Sequence, residues 1–445
     1  MPIYPLRQLR SRVASSPDIF PVIPDVTGRF LVNRQGAPFP VLCRACWIIF
    51  NISPSAYGFV FSDTVAKGFN AIEMKAPITG SQDLSGNWPF SKRLDGATWT
   101  GQFQGFSNIN TEAPDFTTPV DAYWANVDAF FNAALGSNLL VFFFPAYVGY
   151  PDTDWWMHCM AANGQTKMQT YGAYIANRYR NQKNLVWMLG GDDGTSPNTF
   201  ASDETASMQG LIDGLKSVTT TSAQYGTEWT FGSIGKDLFP SSVTLNSCYS
   251  LALDVCNQGS RGYSYSPATP AYFQELPFEE DVSTPPPNRQ YSWWGWLTTI
   301  GGYTFGNGTF TSFVDPTYLS HMNTQGTLDA QRLNAFIRTI PWQTLVPNNA
   351  AITAGGGTIN TADQVVAAVN PLGTLLLAYV PTSHTGTVTI DMTKMGGSTT
   401  ARWYDPTNAT YTAITSGLSN TGTHAFTLPG TNSAGDLDWV LRLDA

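Results

Sequence analysis

The sequence predicts an α/β protein: a (β/α)8 TIM barrel followed by a small all-β sandwich. Three observations predict it. Apolar strand-like runs alternate with amphipathic helical patterns eight times, over the roughly 300 residues such a barrel needs. The run Leu185-Val186-Trp187-Met188-Leu189 is apolar at every position and ends in Gly190-Gly191-Asp192-Asp193, as in a parallel strand covered on both faces. Past Pro341 to Asn349 the texture changes to short alternating segments separated by Gly, Asn, Pro and Thr, the pattern of a β-sandwich. The domain limits read as an N-terminal arm over 1–25, a barrel over 26–342 and a sandwich over 346–445.

The elements follow in order. Gly28 to Val32 and Gly36 to Phe39 read as a hairpin, with its turn near Asn33 to Gly36. Val41 to Phe50 is the expected first barrel strand, Ser53 to Lys67 a helix closed by Gly68, and Phe69 to Ala76 the second strand. Glu73 and Lys75 share one face of that strand by the two-residue repeat. At a barrel mouth they serve either as a structural ion pair or as substrate contacts. Residues 77–117 are rich in Gly, Ser and Asn and form a long loop expected to overhang the mouth. A helix opening at Thr118-Pro119-Val120-Asp121 leads to a third strand, Leu139 to Tyr147, and then to Gly149-Tyr150-Pro151-Asp152-Thr153-Asp154-Trp155-Trp156. Tyr147, Tyr150, Trp155 and Trp156 are candidate platforms for a sugar ring.

A helix from about Gly164 to Arg180 precedes the fourth strand, and one over Asp203 to Val218 follows it. The remaining strands are expected at Trp229 to Gly232, Val243 to Tyr249, Ala271 to Glu275 and Tyr303 to Gly306, with helices at Asn288 to Ile300 and Leu328 to Ile340. Seven sandwich strands are expected, from Val365–Val369 to Trp439–Leu443.

In a barrel of this kind chemistry sits at the C-terminal ends of the strands. Asp192 stands just past the fourth strand and Glu275 ends the seventh. Glycosidic cleavage needs two carboxyls flanking one bond, about 5–5.5 Å apart for retention and 6.5–9.5 Å for inversion. Asp192 and Glu275 are the catalytic candidates. An Asp in this place also serves as a helix cap or loop turn, and a Glu as a salt-bridged structural acid. The like charge of Glu275 is a sufficient cause for Asp192 to hold its proton.

Composition narrows the function further. Net charge is −9 and charged residues make up 12%, which argues against a nucleic-acid partner. Aromatics reach 13%, with 14 Trp and 19 Tyr, a surplus that suits sugar binding and also fills cores. Five scattered cysteines indicate no disulfide framework, and the one CxxC (Cys43, Cys46) has no second half to form a zinc site. The four histidines are far apart in sequence, so neither a metal nor another cofactor is expected. No 20-residue apolar run suggests a membrane partner, and no signal peptide is visible. The low charge and Thr-rich tail favour an extracellular or periplasmic setting.

The chain resembles the apiosidase-like bacterial glycoside hydrolases. The likeness runs through Gly28 to Val32, Lys67 to Asn70, Pro145 to Tyr150, Tyr171 to Tyr174, Arg178 to Arg180 and Asn184 to Asp192. It ends in the sandwich at Arg402-Trp403-Tyr404-Asp405-Pro406 and Gly435 to Leu441. The resemblance implies an O-glycosyl hydrolase acting on a plant or bacterial polysaccharide or oligosaccharide. It implies Asp192 as general acid/base, Glu275 as nucleophile, and Glu279 as a second acid beside the substrate. The family's sandwich carries a collagen-binding label, read as a name rather than a function. One departure stands at Cys43-Arg44-Ala45-Cys46-Trp47, where the family has a Gly-Asp pair before the Trp. There Arg44 is expected to change the charge of one pocket wall. The alternative to an enzyme is a carbohydrate-binding or surface-attachment protein on the same fold.

Overall fold

The computed structural model describes residues 18–78, 80–149, 156–192, 200–218, 222–281, 288–313 and 316–445. Eight parallel strands form the barrel: β1 (Val41–Ala45), β2 (Ala71–Lys75), β3 (Leu140–Phe144), β4 (Leu185–Gly190), β5 (Gln224–Glu228), β6 (Asn246–Tyr249), β7 (Ala271–Glu275) and β8 (Gly302–Phe305). Their spatial order is β5-β4-β3-β2-β1-β8-β7-β6. The seam between β5 and β6 is bridged by the Tyr225 carbonyl, which accepts from the amides of Thr244 and Leu245 at 2.9 and 3.0 Å. The Thr227 amide adds a bond to Ser247 Oγ at 3.1 Å. The predicted barrel is therefore present, followed by antiparallel sheets.

Alternation along the strands sends Val41, Cys43, Ala71, Leu140, Phe142, Val186, Met188 and Tyr272 into one buried cluster. Phe20, Val22, Leu31 and Phe39 join it. Leu31 and Phe39 belong to a three-stranded antiparallel ribbon of Ile23–Pro24, Leu31–Val32 and Pro38–Phe39, which with the preceding Phe20 and Val22 plugs the N-terminal end of the barrel. Residues 18–25, expected in the arm, are thus packed structure, whereas 1–17 lie outside the described residues.

Several elements depart from expectation: the first strand ends at Ala45 rather than Phe50, and a helix at Val255–Ser264 stands where none was expected. The fifth strand is Gln224–Glu228, not Trp229 to Gly232, which forms the turn after it. Its side chains Gln224, Thr227 and Glu228 are polar and buried, so the apolar signal of a barrel strand is missing. The helix before β4 begins at Trp156 and runs to Arg178, kinked at Gly164 (φ 69°). Ser53 caps the first barrel helix, Pro54–Ala66, as its sequence suggests. The long segment after β2 is built on Phe90, Trp99, Phe103 and Phe116, which meet Trp156 in an edge-to-face aromatic cluster.

The C-terminal unit has two antiparallel sheets. One has six strands, ordered Val346–Pro347, Val366–Val369, Leu375–Val380, Trp439–Asp444, Thr399–Asp405, Thr410–Leu418. The other has three: Ile352–Ala354, Thr387–Asp391 and Thr423–Thr427. The seven expected strands are there, and two short ones are added at the start. The larger sheet shares a core with the barrel. Trp293 of helix Asn288–Thr299 stacks on Tyr379 at 5.7 Å, 9° between planes. Phe336, Ile337, Val366, Leu377 and Val440 lie in the same cluster.

Candidate active site

The C-terminal ends of the strands converge on acidic residues. Asp192 follows β4, Glu228 ends β5, Tyr249 ends β6, and Gln274 and Glu275 end β7. Glu73 and Lys75 come from β2, and Tyr147 from the turn after β3. Asp192 and Glu275 are 7% and 8% exposed, while Glu73 and Glu228 are 1% exposed.

Hydrogen bonds tie these groups into one chain. The Asp192 amide donates to the Tyr147 hydroxyl at 3.1 Å, and that hydroxyl donates to Glu228 Oε1 at 2.7 Å. The Gln274 side-chain amide donates to Glu228 Oε2 at 2.5 Å and to Glu73 Oε1 at 2.9 Å. The Tyr249 hydroxyl hydrogen-bonds the Asp192 carboxylate. The Lys75 ammonium stands 4.4 Å from the centre of the Tyr147 ring. Trp47, half-buried just past β1, packs on Tyr147 and Phe144 at 5.1 and 5.3 Å.

Glycines let the elements close in. Gly190 has φ +86°, and a Cβ there would lie 2.1 Å from the Glu228 carbonyl oxygen. Gly191 has φ +150°, and a Cβ would lie 2.7 Å from the Val148 amide nitrogen. Its own amide donates to the Glu228 carbonyl at 2.8 Å. The two glycines thus seat Asp192 against β5 and the β3 turn.

Four buried carboxyls cannot all carry charge cheaply. Burial, and then the charge of Asp192, pushes Glu228 up to about 8. Burial and the charge of Glu228 push Glu73 well above the ordinary carboxylate range. Burial followed by Glu228, Glu73, Asp192 and Asp281 does the same to Glu275. The mouth therefore holds carboxyl protons above the ordinary carboxylate range.

A family model described as the apiosidase-like catalytic domain matches residues 26–346. The chain belongs to the apiosidase-like family. A second model, "Putative collagen-binding domain of a collagenase", matches residues 346–444 of this apiosidase-like protein. Among solved structures, a glycoside hydrolase family 5 protein from Bacteroides vulgatus is similar over 95% of this chain and 93% of its own, with TM-score 0.75 and 16% identity. A structure described as a glycoside hydrolase covers 95% and 96%, with TM-score 0.74 and 18% identity. A β-L-arabinopyranosidase of family 27 from Geobacillus stearothermophilus covers 91% and 96%, with TM-score 0.54 and 9% identity. These likenesses are of fold. No curated protein matches the chain in sequence.

In this apiosidase-like protein Asp192, Glu275, Glu73, Lys75 and Tyr147 come together at the mouth. Tyr147 is buried beneath Lys75 and Trp47 and so supports the site rather than offering an open platform. Three expectations are corrected. Trp156 is fully buried in the aromatic cluster beneath the long loop and cannot reach a ligand. Glu279 is committed elsewhere: it accepts from the Gly326 amide at 2.7 Å, Thr324 Oγ1 at 2.5 Å and Asn307 Nδ2 at 3.1 Å. It thereby anchors the positive N-terminus of helix Gln325–Arg338. Arg44 does not line a pocket wall. It points out of the barrel, pairs with Asp63 at 2.8 Å and lies 3.9 Å from the centre of the Phe310 ring. Tyr150 and Trp155 lie outside the described residues.

Sequence reasoning missed Glu228, Tyr249 and Gln274. One signal existed for Glu228. A strand had to begin within a few residues of helix Ser202–Val218, and Gln224-Tyr225-Gly226-Thr227-Glu228 is the segment in that place.

Proposed function

We propose that this protein is a retaining glycoside hydrolase acting on carbohydrate, with Asp192 as general acid/base and Glu275 as nucleophile. The observation that carries the reading is the pairing of these carboxyls. They stand at the ends of β4 and β7, are nearly buried, and are linked through Glu228, which bonds Tyr147 on the Asp192 side and Gln274, the residue before Glu275. Asp192 gives its proton to the leaving oxygen as Glu275 attacks the anomeric carbon. The glycosyl–Glu275 ester is then cleaved by a water that gives its proton to Asp192. Tyr249 orients the acid through its hydrogen bond. Trp47, partly exposed and braced by Tyr147, offers the apolar face on which a sugar ring stacks.

The test is hydrolysis of aryl glycosides across a sugar panel that includes β-apiosides and arabinofuranosides. Wild type, Asp192→Asn and Glu275→Gln are compared, and the first-formed anomer is followed by NMR. Turnover with retention, lost by about 10³-fold or more in Glu275→Gln, is expected. Full turnover in Glu275→Gln sinks the assignment, and an inverted first product sinks the retaining mechanism. Oligosaccharide bound equally by wild type and Glu275→Gln, with no cleavage of any substrate, favours a carbohydrate-binding protein instead.

A further inference from the structure

A third carboxyl stands in this mouth, and the two-carboxylate mechanism leaves it without a task. Glu228 is 1% exposed at the end of β5. Both of its oxygens are engaged, one by Tyr147 and one by Gln274. Each donor leads to a catalytic candidate. The Tyr147 hydroxyl also accepts from the Asp192 amide, and Gln274 is the chain neighbour of Glu275. The backbone repeats the link, because the Glu228 carbonyl accepts from the Gly191 amide at 2.8 Å.

We propose that Glu228 is the positioning residue of the Asp192/Glu275 pair, clamping both strand ends through Tyr147 and Gln274. This rests on the reading of Asp192 as acid/base and Glu275 as nucleophile.

A side chain that only fills space would have no need to be ionisable. The groups facing Glu228 come from five neighbouring strands. Glu73 and Lys75 stand on β2, Tyr147 after β3, Asp192 after β4, Tyr249 on β6, and Tyr272 and Glu275 on β7. Lys75 is the single cation among them, and it favours the ionised form of Glu228. Asp192 opposes it, and with burial its charge favours the neutral form of Glu228.

The experiment measures kcat and KM separately for wild type, Glu228→Gln and Tyr147→Phe, on the aryl glycoside that wild type cleaves fastest. Glu228→Gln keeps the shape but replaces one acceptor oxygen by an NH2 group, so it cannot accept from both Tyr147 and Gln274. It is expected to lower kcat by about 10- to 100-fold with KM near the wild-type value. Tyr147→Phe removes one arm of the clamp and is expected to lower kcat by less. A loss carried by KM with kcat unchanged overturns the proposal, and so do wild-type kinetics in Glu228→Gln. If Glu228→Gln does not fold, Tyr147→Phe decides alone: a wild-type kcat overturns the proposal. Asp192→Asn and Glu275→Gln are run beside them. Full turnover in either means that the acid/nucleophile assignment has failed, whatever Glu228 does.

Discussion

Arg289, on the helix after β7, holds Asp438 of the C-terminal sandwich through two parallel hydrogen bonds, Nε to Oδ2 at 2.7 Å and Nη2 to Oδ1 at 2.6 Å. The side chains are 3% and 0% exposed. Asp329 of the barrel takes the remaining nitrogen at 2.6 Å, and the Tyr379 hydroxyl donates to Asp438 at 2.8 Å. A planar guanidinium meets this geometry and an ammonium does not.

Arg289→Ala removes the cation shared by the buried carboxylates Asp438 and Asp329. It is expected to cost about 3–5 kcal/mol of stability, measured by denaturant unfolding. Because the two units share a core, barrel and sandwich are expected to unfold in one calorimetric transition in the wild type. Two separated peaks would contradict the shared core.

The carboxyl cluster sets a pH dependence of stability. Glu228 rises from an ordinary value of 4.5 to about 8 on folding, and Glu73 rises with it. A carboxyl raised on folding binds its proton more tightly in the native state. Its contribution is full below about pH 4.5 and is lost as pH rises through 8. The melting temperature is expected to fall across that window, and to fall less in Glu228→Gln. A melting curve flat from pH 4.5 to 8 would refute this.

Glu275 attacks only as its anion, and its carboxyl is raised by burial and by its acidic neighbours. The acid limb of the pH–rate profile is therefore expected well above pH 4.5. A limb at or below 4.5 would argue that another group is the nucleophile.

Glu279→Ala separates structure from chemistry. It deletes three hydrogen bonds at the start of helix Gln325–Arg338 and is expected to cost about 1–3 kcal/mol. Below the melting range KM should stay at the wild-type value. A raised KM would return Glu279 to the substrate site.

Two tryptophans give opposite signatures. Trp47→Ala is expected to raise KM for an oligosaccharide by about tenfold, as loss of a stacking face of 1–1.5 kcal/mol would, with little change in melting. Trp156→Ala is expected to lose about 3–5 kcal/mol of stability with KM unchanged. The reverse pattern would move the sugar platform back to Trp156.

The sequence makes most of the barrel readable because β3 and β4 are apolar runs, β1 is apolar but for Arg44, and most of the intervening helices carry clear caps or periodicity. It hides β5 because Gln224, Thr227 and Glu228 are polar side chains in a fully buried strand, so neither an apolar run nor alternation marks them. Glu228 was lost with its strand. Asp192 and Glu275 were visible as acids following apolar strands. Trp156 was ambiguous in principle, since an aromatic after a strand fits a platform or a core equally well, and only packing against Phe90, Phe103 and Phe116 decides.

Gly190 has a consequence for how this site varies among relatives. Any side chain there would strike the Glu228 carbonyl and the Trp229 ring, at 2.1 and 2.7 Å. The Gly-Gly-Asp signature is therefore a record of how near the end of β5 lies, as much as of the acid that follows it. Relatives that keep the glycine pair are expected to keep the short approach of β5, and with it room for an acidic partner at the position of Glu228. Relatives with a bulkier residue at Gly190 must have withdrawn that strand end, and are expected to have replaced both partners together.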